Sequence, residues 1–309
     1  MSARRGREIT GVICALVTPF RADGEVDLDA ICQLIDFHCT HGTDGLFLLG
    51  TSGEGLLLAP EERMAVTERV LKFAAGRLPM VVHCGATDTR SAARLAEHAE
   101  RHQADAIAAT GPLFFAYQES EIAEHFRRIA DAAPATDLFI YENPARVGYS
   151  LSTALINQLV SGAASIVGVK DTGASVARLS SYQDAEQDMV VFTGDNTMLL
   201  AALVTGAAGL VSTTSNVAPE LFAGIVSAFA AGNLAAARER QLVATRLQAA
   251  VAGLPYVAAV ECLMRLRGLP TGAGRREPMR HLSANQEATL RVRVEDDPGL
   301  SDWLFGHAS

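Results

Sequence analysis

SIVGVKDTG, residues 165–173, is an apolar, β-branched run that closes on a lysine. A strand buried on both faces, as in a parallel sheet, reads as a continuous run of this kind, whereas a half-exposed strand alternates. The lysine stands out. Only Lys72 shares its side chain in a chain whose other long cationic residues are arginines, so Lys170 is not a generic solubilising charge.

The same pattern recurs on both sides of this run. Apolar stretches stand at 11–17 (GVICALV), 45–50 (GLFLLG), 80–85 (MVVHCG), 105–110 (DAIAAT), 138–143 (LFIYEN), 166–171 (IVGVKD), 190–195 (VVFTGD) and 209–214 (GLVSTT). Each is followed by a turn and a segment of helical periodicity, which is the signature of alternating strands and helices. The spacing predicts helices over 28–40, 60–75, 90–102, 120–132, 152–160, 175–186 and 197–205. Pro60-Glu61-Glu62 supplies a proline and carboxylates suited to a helix start.

Eight such units predict an α/β fold, a closed (β/α)8 TIM barrel. An open doubly wound sheet would carry a glycine-rich dinucleotide loop after its first strand, and LVTPFRADG (16–24) has no GxGxxG. Beyond residue 218 the pattern turns helical, at 219–231, 234–251, 256–267 and more weakly at 283–293. The expected organisation is a catalytic barrel over 1–232 and a small C-terminal helical domain over 233–309.

Composition narrows the partners. With 49% hydrophobic and 20% charged residues the 309-residue chain is globular. A formal net charge of -9 disfavours a nucleic-acid backbone or an anionic membrane surface and favours a small molecule. Cys14, Cys32, Cys39, Cys84 and Cys262 are scattered without a CxxC and read as reduced core residues. The start MSARRGREITG has adjacent arginines but no apolar region behind them, so a cytoplasmic protein is expected.

Function in such a barrel sits at the carboxyl ends of the strands. There the sequence places Thr18; Thr51, Ser52 and Glu54 in GTSGE; Thr110; Tyr141, Glu142 and Asn143; Lys170, Asp171 and Thr172; Asp195 and Asn196; and Ser212, Thr213 and Thr214. Desolvation of Lys170 among apolar walls favours its neutral amine, the form that attacks a carbonyl to give a Schiff base. The same residue also reads as a rim lysine or half of an ion pair. Tyr141 ends the neighbouring strand, where its phenol can pass a proton, although a buried tyrosine is more commonly structural. GTSGE offers backbone N–H groups and hydroxyls suited to a carboxylate, yet by itself it is ordinary turn chemistry.

Other constellations are set aside. HCTH (38–41) falls at a helix C-terminus, away from the catalytic face, and His98 with His102 lies on an outer helix, so no metal is assigned to either. GRREP (274–278) reads as a tail or a subunit contact. The chain has no GxSxG elbow and no Walker loop.

In order and spacing, GTSGE, YENPARVG, VGVKDTG and TSNVAPE resemble the dihydrodipicolinate synthase and N-acetylneuraminate lyase superfamily over nearly the whole chain. The resemblance implies a (β/α)8 barrel with a helical C-terminal domain, a homotetramer, and class I chemistry without a metal or cofactor. It implies that Lys170 forms the Schiff base with pyruvate or another 2-oxo acid, that Tyr141 shuttles protons, and that Thr51 and Ser52 hold the carboxylate. Gly50, Arg146, Glu142, Gly194, Asn196, Val211 and Thr213 complete the candidate substrate-binding set.

Departures from the family pattern are equally informative. Synthases of the family carry a Tyr-Tyr pair after the fourth strand, where this chain has Phe114 and Phe115, with Tyr117 the nearest phenol. Arg146 matches the arginine that synthases use for the second substrate's carboxylate, which argues against a sialic-acid lyase. Glu142 stands where the family often has asparagine and suggests a hydroxylated or amine-bearing substrate. The expected activity is therefore a Schiff-base lyase or aldolase joining or cleaving pyruvate and an aldehyde. Dehydration or deamination of a 2-oxo-3-deoxy sugar acid, dihydrodipicolinate synthesis, and a degenerate 2-oxo-acid binding protein are the alternatives.

Overall fold

The computed structural model describes residues 6–173, 175–183 and 188–305. The adjacent arginines at the start of the chain lie outside them. Eight parallel strands close into a barrel in chain order: β1 (Gly11–Ala15), β2 (Gly45–Leu48), β3 (Met80–His83), β4 (Ala106–Ala109), β5 (Asp137–Glu142), β6 (Ile166–Asp171), β7 (Val190–Thr193) and β8 (Gly209–Ser212). Seven fall inside the apolar runs of the sequence, and β5 begins one residue ahead of its run, at Asp137. Except at β6, each run continues past its strand into the loop at the barrel mouth.

The helices are α1 (Leu28–Thr40), α2 (Pro60–Ala74), α3 (Thr89–Arg101), α4 (Glu119–Ala132), α5 (Pro144–Val147), α6 (Thr153–Gly162), α7 (Val176–Gln183), α8 (Leu199–Val204) and α9 (Pro219–Ala230) around the barrel. α10 (Leu234–Val251), α11 (Tyr256–Leu266), α12 (Ala284–Glu295) and α13 (Pro298–Phe305) follow it. Asp27, Asp88 and Ser152 accept hydrogen bonds from backbone N–H groups three residues on and so fix the starts of α1, α3 and α6. The short α5 and the terminal α13 carry too little periodicity to have been anticipated. Residues 184–187, at the end of the helix expected over 175–186, lie outside the described residues.

Two hydrophobic layers hold the barrel. Ile13, Phe47, Val81, Phe139, Phe192 and Val211 fill its interior, while a larger set, including Leu46, Leu138, Ile140 and Val169, packs outward against the helices. Burial of each such side chain contributes about 1.5–3 kcal/mol before the cost of ordering it.

β6 departs from regularity in a way that serves the site. Leu138 pairs with Ile166 and Phe139 with Gly168, so Val167 is an extra residue in the ladder, a β-bulge. In a strict two-residue repeat Val167 and Lys170 would face opposite sides. The bulge resets the phase: Val167 joins the interior cluster, and Lys170 also reaches the interior, with Nζ 4.2 Å from the centroid of the Phe47 ring.

The segment GRREP is not a free tail. Arg275 is buried between Glu54 of the GTSGE loop and Glu261 of α11, and Arg276 donates to Glu62 of α2 at 2.6 Å. It straps the C-terminal helices onto the loop after β2. Among the described residues no single helix is long and apolar enough to cross a membrane.

Candidate active site

At the carboxyl end of the barrel, nine of the eleven sequence-predicted residues line one cavity of about 370 Å³: Thr51, Ser52, Tyr141, Arg146, Lys170, Gly194, Asn196, Val211 and Thr213. β5 and β6 run side by side, and their register sets Tyr141 opposite Lys170. The amine lies 3.8 Å from the centroid of the Tyr141 ring and 4.2 Å from that of Phe47. Both residues are buried.

Electrostatics follow from this enclosure. Burial pushes the Lys170 amine below its ordinary pKa, opposed by the attraction of the neighbouring Tyr141. Burial would raise the Tyr141 phenol, but the charge on Lys170 and hydrogen bonds from Thr51, Asn143 and Thr172 outweigh it and leave the phenol below its ordinary value. The two shifts together narrow the gap between a proton donor and a proton acceptor that are in contact.

The Tyr141 hydroxyl is held on two sides. Thr51 Oγ1 stands 3.2 Å away, and Asn143 Nδ2 donates to it at 2.8 Å. Ser52 Oγ and Thr213 Oγ1 share a hydrogen bond of 2.5 Å across the floor of the cavity. The GTSGE turn that carries Thr51 and Ser52 is tight: Glu54 has φ 52°, and a Cβ on Gly55 would meet Leu49 O at 1.9 Å. Glycine is therefore required at 55, which converts a weak motif into a defined loop.

Two predicted residues lie elsewhere. Gly50 lines an adjoining cavity of about 780 Å³, which shares Thr51 and Arg146 with the first. Glu142 is turned to the opposite face of β5 from Tyr141, where its carboxylate accepts from Ser150 Oγ at 2.7 Å and from Leu151 N at 3.1 Å. It is not a substrate ligand in this arrangement; strand alternation sends it among the helices. Phe114 and Phe115 are exposed, and the Tyr117 hydroxyl donates to Leu113 O, so no phenol from this loop reaches Tyr141 within the chain.

Other residues complete the mouth. Asn143 grips the Tyr141 hydroxyl. Gln248 and Tyr256, from α10 and α11, reach in from the helices beyond the barrel, and Asn196 Nδ2 donates to Gln248 Oε1 at 2.8 Å and to the Tyr256 hydroxyl at 3.3 Å. The sequence places Asn143 at the same strand end as Tyr141 but gives it no role. Nothing in the sequence marks Gln248 or Tyr256, because their approach depends on how the C-terminal helices fold back.

The sequence model of the dihydrodipicolinate synthetase family matches residues 8–296. The chain belongs to that family. It is 34% identical to an N-acetylneuraminate lyase of Rhizobium meliloti (strain 1021), with 93% of this chain and 95% of the relative aligned. It is also 34% identical to a 4-hydroxy-tetrahydrodipicolinate synthase of Nitrosospira multiformis, over 93% and 95% of the two chains. Among solved structures, the family member YagE of E. coli K12, determined in complex with pyruvate, superposes with a TM-score of 0.89 at 29% identity, covering 93% of this chain and 98% of that one.

Members of the dihydrodipicolinate synthetase family are class I, pyruvate-dependent lyases, and this chain is a lyase of that kind acting on a 2-oxo acid. Both lyases and synthases occur among these relatives. Finer assignment therefore rests on the chemistry of the site.

Proposed function

We propose that this protein is a class I aldolase that cleaves, and in reverse forms, the C3–C4 bond of a hydroxylated 2-oxo-3-deoxy acid, with pyruvate as one product. Neutral Lys170 attacks the C2 carbonyl, and loss of water gives an iminium. Tyr141 takes the proton of the C4 hydroxyl as the C3–C4 bond breaks; the bonding pair flows into the iminium to leave an enamine, and the aldehyde departs. Tyr141 then returns the proton to C3. Hydrolysis of the iminium frees pyruvate and the amine.

In this reading Thr51 and Ser52 hold the 2-oxo acid's carboxylate. Gly194, Asn196, Val211 and Thr213 line the run of the substrate beyond C3, and Arg146 faces its far end. The observation that carries the reading is the buried amine of Lys170, 3.8 Å from the ring of a tyrosine whose hydroxyl Thr51 and Asn143 fix. Cleavage is favoured over dihydrodipicolinate synthesis by two features. Phe114 and Phe115 offer no hydroxyl, and the rim of Asn143, Asn196, Gln248 and Tyr256 is rich in neutral hydrogen-bonding groups suited to substrate hydroxyls.

The same reading places the protein in the cytoplasm as a homotetramer, with a barrel over 1–232 and a helical domain over 233–309. Five free cysteines support a reducing compartment, and the exposed Phe114, Phe115 and Leu56 support subunit contacts.

Incubation with pyruvate and borohydride is expected to leave a reduced pyruvyl adduct on Lys170, read by peptide mass spectrometry. No adduct with pyruvate or with any other 2-oxo acid refutes the mechanism. A substrate panel then separates the branches: turnover of aspartate semialdehyde with pyruvate, but of no hydroxylated 2-oxo-3-deoxy acid, overturns the aldolase assignment.

A further inference from the structure

On the outside of the barrel, remote from Lys170, three side chains converge that the aldolase chemistry does not use. Glu68 lies on α2, His98 in the last turn of α3, and His102 caps that helix at its C-terminal end. The spacing of four sets the two imidazoles on one helical face, with ring centroids 4.4 Å apart. The carboxylate comes from the neighbouring helix, a relationship that the sequence could not reveal. One ligand atom from each of the three lies within 4.8 Å of the other two.

We propose that Glu68, His98 and His102 form a binding site for a divalent transition metal of the zinc class, clipping α2 to α3. Two histidines four apart on a helix, with a carboxylate beside them, supply three ligands, and water completes the tetrahedron. Zinc–ligand bonds of about 2.0–2.1 Å put neighbouring ligand atoms roughly 3.3 Å apart, so rotation of side chains, without helix movement, closes the site. None of the three side chains is committed elsewhere: among the described residues Glu68 has no ion pair, and neither imidazole has a hydrogen-bond partner.

The nearby Glu100 is occupied by Ala135 N and Thr136 Oγ1, so the donor set is the three residues named. Imidazole and carboxylate suit Zn²⁺, Ni²⁺ and Cu²⁺, whereas Mg²⁺ and Ca²⁺ prefer sites made wholly of oxygen.

Calorimetric titration of the full chain, free of any histidine tag and stripped with EDTA, tests the site with ZnCl₂. One zinc per chain is expected, with no heat from MgCl₂ under the same conditions. His98→Gln and His102→Gln should each weaken zinc binding at least tenfold, and Glu68→Gln should weaken it less. Zinc in excess should raise the Tm of the natural protein but not of the double histidine variant. All variants should melt alike without metal and should form the pyruvyl adduct on Lys170 at the unaltered rate. Absence of saturable zinc binding, or undiminished binding by both histidine variants, overturns the site.

Discussion

Tyr141 and Lys170 share one rung of the β5–β6 ladder, and the next rung, Glu142 and Asp171, is clamped from behind by a single arginine. Arg178 of α7 donates from Nε to Asp171 Oδ2 at 2.7 Å, and its Nη2 reaches Leu151 O at 2.8 Å and Glu142 Oε1 at 3.5 Å. Tyr182 adds its hydroxyl to the same Asp171 oxygen at 2.8 Å. The faces divide the labour. Inward residues line the cavity and outward residues fix the spacing between the strands that carry it.

Arg178 is therefore expected to act as a positioning residue. Arg178→Met leaves two buried carboxylates without their cation, and a misplacement on the ångström scale in an active site costs heavily. The variant should lose tenfold or more in kcat, with its Tm lowered by several degrees. Arg178→Lys, which keeps the charge but not the fork, should recover part of the stability and less of the kcat. Unchanged kcat in a folded Arg178→Met variant would show that the clamp is only structural.

Tyr141→Phe removes the hydroxyl held by Thr51 and Asn143 while keeping the ring over which the Lys170 amine sits. Loss of a positioned acid–base group typically costs 10²–10⁴-fold, and kcat for carbon–carbon cleavage should fall by that order. The borohydride-trapped adduct should still form, more slowly. Cleavage at the natural rate would assign the proton transfer to another group.

The fold was largely legible because burial on both faces writes each strand as an uninterrupted apolar run, and Pro60-Glu61-Glu62 marks where α2 begins. What escaped depends on pairing between distant segments. The bulge at Val167 exists only in the register of β6 against β5, and Gln248 reaches Asn196 only after the C-terminal helices fold back. Glu142 is a different case. Its neighbour Tyr141 faces inward, so strand alternation alone turns it outward, and its place beside Tyr141 in the sequence carries no functional meaning.

Gly194 supplies a test of the wall of the cavity beside Thr172. A Cβ there would stand 2.6 Å from Thr172 Oγ1 and 2.9 Å from Thr172 Cα, too near for backbone that follows Lys170 by two residues. Gly194→Ala should lower kcat/KM at least tenfold by displacing Thr172, with only a modest loss of Tm. Retained activity would mean that the loop after β7 yields freely and does not shape the site.

The strap formed by Arg275 makes stability depend on pH in an unusual direction. Arg275 sits between Glu54 and Glu261, so one cation faces two buried carboxylates. Burial pushes Glu261 from 4.5 up to about 7, against the attraction of Arg275 and with repulsion from Glu54 adding to the rise. Burial raises Glu54 as well. A carboxyl whose folded pKa exceeds its unfolded value binds its proton more tightly in the folded state. Its stabilisation is complete below about 4.5 and is lost as the pH climbs through about 7. Glu261→Gln holds this position neutral at every pH and leaves Arg275 to pair with Glu54 alone. Between pH 5 and pH 8, Tm should therefore fall more steeply for the natural protein than for Glu261→Gln, by several degrees over the interval. Parallel Tm profiles for the two proteins would show that Glu261 does not hold a proton in the folded state and that the strap is indifferent to pH.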